Sequence, residues 1–130
     1  MMPASVWGWV SISFMSRLPL SGDQPVVPLP EREPAAIRAA VARLDPAALA
    51  RFEADWTAAT ARARDEYSLL PARYFVEHWF SWVAVARWPE LAARLRACER
   101  VVAESPDRAE RRAAAAEISQ ILRQAETLSA

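Results

Sequence analysis

Residues 71–88 read PARYFVEHWFSWVAVARW, and the spacing inside this stretch decides the fold. Phe75, Trp79, Trp82, Val83 and Ala86 recur at the intervals that place side chains on one face of an α-helix. Tyr74, Val76, Phe80 and Val85 widen that face until the segment is apolar most of the way round. A helix of this kind belongs in the middle of a bundle, because its whole circumference needs cover. The segment therefore predicts a central helix over about residues 71–87, with the other elements arranged around it.

Working outward, prolines fall where a helix tolerates them. Proline at the first helical position loses no hydrogen bond, since that N–H has no acceptor within the helix. Glu33-Pro34, Asp45-Pro46, Trp88-Pro89 and Ser105-Pro106 all read as such starts, with Asp45 and Ser105 as caps and Asp107 adding negative charge to a first turn. A fifth start lies at Ser68 to Pro71, with Ser68 as its cap. After Gly22 there is no glycine, and strand patterning is missing.

The expected inner stripes are Ile37, Val41 and Leu44 in the first helix. In the second, over residues 46–67, they are Leu49, Phe52, Trp56, Ala59, Ala63 and Tyr67. The fourth offers Leu91, Leu95, Cys98 and Val102, and the last Ala114, Ile118, Ile121, Leu122, Ala125 and Leu128. The fold class is all-α: a compact bundle of about five helices spanning residues 31–130, after a Pro-rich leader, residues 1–30, expected to be disordered. Truncating Trp79 or Trp56 to Ala is expected to remove most of the stability of so small a domain.

Within the leader, the apolar run Val6 to Phe14 is too short to cross a bilayer, and the first cation, Arg17, follows it. Met15 reads as an alternative start of translation, which would leave residues 1–14 outside the protein.

Composition narrows the chemistry. The 130 residues carry 16 basic and 16 acidic side chains, a balance that disfavours a strongly nucleic-acid-binding surface. Every basic residue other than the one His is Arg, and Lys and Asn are absent. With 28 Ala, this is the mark of GC-rich coding. One Cys and one His leave no disulfide and no Cys- or His-rich metal site within a single chain, and there is no Gly-rich phosphate loop. His78 beside Glu77 is the natural place to look for acid–base work. Adjacent helix residues point about 100° apart, so the carboxylate does not orient the imidazole. Cys98 falls on an inner stripe, as a small hydrophobe does. No catalytic residue, cofactor, metal or small-molecule substrate is expected.

The remaining charges sit four apart on helix surfaces: Arg51 and Asp55, Arg73 and Glu77, Glu90 and Arg94, Arg100 and Glu104, Asp107 and Arg111. They are expected to pair with one another. Only Arg108, Arg111 and Arg112 form an unbalanced cluster, the place for an anion or nucleic acid.

The run Pro34-Ala-Ala-Ile37-Arg38, then Leu44-Asp45, Phe52-Glu53, the Tyr67-Ser-Leu69 turn and an aromatic helix centred on Trp79 and ending near Pro89 resemble a family of small actinobacterial proteins known only as a domain of unknown function. The resemblance covers about residues 28–128. It implies a helical fold, and for some members a place upstream of a small toxin in two-gene modules. This chain departs from familiar antitoxins in lacking a DNA-binding ribbon and an acidic tail.

The expected function is non-enzymatic: a cytoplasmic helical protein working through contact with a protein partner or a second copy, with no membrane attachment. The aromatics of the central helix cannot all face inward, so Tyr74, Phe80 and Trp88 are the expected partner-binding residues. The alternative is an antitoxin-like or transcription-regulating DNA-binding component of a two-gene module, acting through Arg108, Arg111 and Arg112. A helix-turn-helix is disfavoured, because the segment after the Ser68 turn carries aromatics where a recognition helix carries polar side chains.

Overall fold

A computed structural model describes residues 24–129. The expectations for residues 1–23, including the apolar run and the start at Met15, lie outside the described residues. Five α-helices follow in order: α1 Pro34–Leu44, α2 Leu49–Glu66, α3 Leu70–Ala86, α4 Pro89–Glu104 and α5 Arg108–Ser129, with a short 3-10 turn, Pro46–Ala48, leading into α2. No strand occurs among the described residues.

The proline starts hold at α1, the 3-10 turn and α4, each with proline in its first turn. Asp45 caps as expected, its Oδ1 accepting from the N–H of Ala47 at 3.1 Å. The last helix begins later than Pro106. Asp107 rather than Ser105 caps it, accepting from the N–H of Ala109 at 2.9 Å.

Helix α3 packs against each of the other four. Its core is aromatic. Phe52 meets Phe75 at 5.0 Å and Trp79 at 5.2 Å between ring centroids, both edge-to-face, the geometry that ring quadrupoles favour. Trp79 is fully buried, and its indole N–H donates to Asp55 at 3.0 Å, so the one polar atom of that ring is satisfied. Burying each such side chain stabilises the fold by about 1.5–3 kcal/mol. Trp56 is only half-buried, stacked at a tilt on Phe75, because it lies where α2 borders an open groove rather than beneath α3.

The second core cluster, between α3, α4 and α5, is aliphatic: Leu91, Cys98, Ala114, Ile121 and Ala125 close it, with Trp88 at its α3 end. Val102, expected inside, is exposed, and Val101 packs there instead.

The leader boundary at residue 30 is corrected by residues 24–30, which are seated on the bundle. Val27 is buried in the aromatic cluster and Leu29 packs against both clusters. Arg87, itself 6 % exposed, holds this strap: the N–H of Val26 donates to its carbonyl at 2.8 Å, and its Nη1 donates to the carbonyl of Val27 at 3.3 Å. The other guanidinium nitrogen reaches the carbonyl of Leu128 at 3.5 Å, near the end of α5. Burial lowers the Arg87 pKa from its ordinary value. The Nε of Arg87 and the indole nitrogen of Trp88 are buried without a hydrogen-bond partner among the described residues.

The strap also explains a second correction. Phe80 and Trp88, expected as exposed partner-binding aromatics, are 7 % and 5 % exposed. Arg32, just past the strap, lies 4.0 Å over the Phe80 ring, and Leu29 packs on the cluster that holds Trp88.

Candidate functional site

Helix α2 ends in a Schellman turn. The N–H of Ser68 donates to the carbonyl of Ala63 at 3.0 Å and that of Tyr67 to Arg64 at 3.4 Å, which puts Tyr67 in the left-handed region at φ 52° and ψ 45°. Glycine is the usual residue at this position, because a Cβ there costs about 1 kcal/mol or more. Tyr67 recovers none of that cost by packing, since its side chain is 96 % exposed. The inner stripe of α2 was expected to run on to Tyr67. A single left-handed residue swings the ring off that stripe into solvent.

Ser68 does what its position predicts, its Oγ accepting from the N–H of Leu70 at 3.1 Å. Beyond it Leu69 is 71 % and Leu70 50 % exposed, and Tyr74, in the first turns of α3, is 67 % exposed. Four large apolar or aromatic side chains thus stand in water within eight residues. Isolated exposed hydrophobics need no explanation, but a concentration at one corner marks a contact surface. Of the three aromatics expected to bind a partner, only Tyr74 is at this corner. Tyr67, Leu69 and Leu70 were not singled out. The signal for Tyr67 was its place just before the Ser68–Pro71 break, where a helix end favours glycine.

Three hollows border the corner, the first of them, of about 290 Å³, lined by Ala63, Arg64, Tyr67, Ser68 and Leu69. On one side Leu69 borders a groove of about 500 Å³ floored by Trp56, Ala72 and Val76, with Arg73 on its rim. On the other, Tyr74 and His78 border a smaller hollow of about 270 Å³ toward α2. His78 is exposed, edge-on to the Trp79 ring at 5.6 Å, and no carboxylate hydrogen-bonds to it among the described residues. Cys98 is buried, and burial together with Glu117 pushes its thiol pKa up, away from the reactive thiolate. No group of three or more His, Cys, Asp or Glu side chains is gathered to hold a metal ion among the described residues.

The surface charges pair differently from the helical spacing. None of the five pairs expected at four-residue separation forms. Among the described residues the ion pairs are Arg32–Glu77, Arg38–Glu53, Arg94–Glu117 and, alone at that separation, Arg62–Glu66. Asp55 accepts from Trp79 instead of meeting Arg51, whose guanidinium lies 5.0 Å over the same indole ring. Glu77 turns to Arg32, which leaves Arg73 without a carboxylate among the described residues.

The basic cluster is also divided. Arg111 is half-buried and donates to the carbonyl of Ser105 at 2.8 Å, so of the three Arg108 and Arg112 are left exposed and without a partner among the described residues. No helix among the described residues is long and apolar enough to cross a membrane.

These features define a small all-helical domain with an aromatic core and one apolar corner in solvent. The chain belongs to the family of unknown function DUF6247, whose model matches residues 25–126. That match begins inside the strap held by Arg87, so the strap is part of the domain. No curated protein and no solved structure matches the chain.

Proposed function

We propose that this protein is a non-enzymatic docking module, working in the cytoplasm through the corner formed by Tyr67, Leu69, Leu70 and Tyr74. The observation that carries the reading is Tyr67. It occupies a glycine position at a conformational cost, and its ring contributes nothing to the bundle, so its value lies in what it touches outside the chain. Tyrosine is also a residue type that dominates binding energy at protein interfaces.

The test is mild chemical crosslinking of the full chain in its native host, compared with a Tyr67→Gly, Leu69→Ser double variant. The reading expects a discrete stoichiometric adduct that the variant loses while remaining folded. An adduct unchanged in the variant, or a chain that stays alone, rejects it.

A second reading, a DNA-binding component of an antitoxin-like two-gene module, has one observation in its favour: Arg108 and Arg112 are exposed and unpaired at the start of α5. Its weakness is that Arg111 serves the Ser105 turn. Strong duplex binding needs several phosphate contacts, and two free arginines supply few. Retention on promoter DNA at low salt, lost in Arg108→Ala with Arg112→Ala, would favour it over the docking reading.

A further inference from the structure

We propose that the groove beside Leu69 receives an acidic, amphipathic segment of a partner protein, laid in with its apolar residues on Trp56 and Leu69 and its carboxylates on Arg73 and Arg64. This deepens the docking reading above and rests on it.

The floor of the groove is apolar, made by Trp56, Leu69, Ala72 and Val76. The half-buried Trp56 ring on α2 and the exposed Leu69 in the turn before α3 offer two anchoring points. A trough of this form suits side chains that recur once per helical turn, the pattern by which an amphipathic helix enters a groove.

Its rim carries the sign. Glu77 is taken by Arg32, and that pair is neutral. Arg73 on the same rim has no carboxylate partner among the described residues. Arg64 borders the adjoining hollow with Tyr67 and Leu69 and is likewise unpaired, while the nearby Glu66 is held by Arg62. Asp65 lines neither hollow. Among the residues lining the two hollows, the charges left outside ion pairs are therefore Arg73 and Arg64, both positive, and arginine is the side chain suited to grip a carboxylate with two parallel hydrogen bonds.

The same arrangement argues against a second copy as occupant. An isologous pair brings identical patches together. Here that would bring the Arg73 and Arg64 guanidinium groups of one copy toward those of the other.

The test uses the full chain, labelled for NMR, and two synthetic amphipathic helical peptides of equal leucine spacing, one with glutamate and one with lysine on its polar face. The glutamate peptide is expected to shift the Trp56 indole signal and the amides of Leu69, Arg73 and Val76, and the lysine peptide to leave them in place. Arg73→Glu should weaken the glutamate peptide about tenfold or more, since it sets like charges together. Leu69→Ser should do the same without touching the core.

Equal binding of both peptides, shifts that map to the start of α5, or equally tight binding of polyglutamate without leucines would overturn the proposal. So would concentration-dependent shifts at Trp56 and Leu69 in the free chain, which would make a second copy the occupant. If crosslinking through Tyr67 persists while the acidic preference is absent, this inference alone falls. If crosslinking is absent too, the docking reading falls with it.

Discussion

The turn between α2 and α3 and the turn between α4 and α5 do the same geometric work by opposite means. At the second, Ser105 Oγ accepts from the N–H of Asp107 at 3.1 Å and donates to Glu110 at 2.7 Å. The carbonyl of Ser105 takes the Arg111 guanidinium at 2.8 Å, and Asp107 takes the N–H of Ala109 at 2.9 Å. Ser105, Asp107, Glu110 and Arg111 are thus committed to holding the helices in place, and residues 105–111 include no large apolar side chain. At the first turn a strained Tyr67 replaces the expected glycine, and Leu69 and Leu70 stand in solvent. The contrast lies in the turn residues themselves: the closed turn is built from polar and small side chains, whereas the open one places Tyr67, Leu69 and Leu70 where no packing covers them. Departures of this kind, where a local rule is broken without a packing gain, concentrate at functional sites.

The largest effect that could break this comparison lies beneath the open turn. If the corner is exposed because its helix is poorly held, α3 should tolerate damage. We expect the reverse. Trp79→Ala should cost about 3–5 kcal/mol in urea unfolding, because it empties the centre of the aromatic cluster and strands Asp55. Trp56→Ala should cost clearly less, since that ring is half-buried. Equal costs would mean that the groove beside Trp56 is closed in solution.

Next in size is the closed turn. Ser105→Ala removes an acceptor for Asp107 and a donor to Glu110 and should destabilise by about 1 kcal/mol. Tyr67→Gly should act in the opposite direction, raising stability by about 0.5–1 kcal/mol through relief of the left-handed conformation. Tyr74→Ser should fall within about 0.5 kcal/mol of the parent, as surface substitutions do. Thermal unfolding of the three variants side by side checks the opposing signs. A destabilised Tyr67→Gly would show that the ring packs after all, and the contrast between the turns would disappear.

Much of the bundle was legible in the sequence, and the reasons are local. Proline at first helical positions and the apolar circumference of residues 71–87 are properties of a segment alone, so α1, α4 and the central place of α3 follow from them. What escaped depended on neighbours distant in sequence. Phe80 and Trp88 looked surplus because nothing in the periodicity of a Pro-rich stretch tells that Val27 and Leu29 will pack beside them. The buried role of Arg87 has no sequence signature, since its acceptors are main-chain carbonyls 60 and 41 residues away. Four-residue spacing offers charges an opportunity to pair, but each such pair is worth only about 0.3–0.5 kcal/mol. Helix packing that brings Arg32 to Glu77 or Arg94 to Glu117 overrides it easily. Tyr67 escaped for a subtler reason: the stripe was right up to the residue where the backbone changed hand.

The smallest expected effect tests whether the closed half of the molecule is as inert as its hydrogen bonding implies. Cys98 lies on α4 in the cluster shared with α5, beside Glu117, and its thiol pKa is pushed up by burial first and then by that carboxylate. The unfolded chain, with an ordinary thiol at about 8.5, therefore loses its proton before the folded chain does. Folding stability from this group is complete below that pH and is lost as pH rises toward the higher folded value. Urea midpoints of the parent should decline more steeply above pH 8.5 than those of Cys98→Ala, which isolates the contribution of the thiol. The same thiol should react slowly with a disulfide reagent at pH 8, and faster in Ser105→Ala, where the turn closing the α4–α5 hairpin has been loosened. Rapid reaction in the parent would place the hairpin, not the Tyr67 corner, at the mobile end of the molecule and reverse the assignment of which turn is structural.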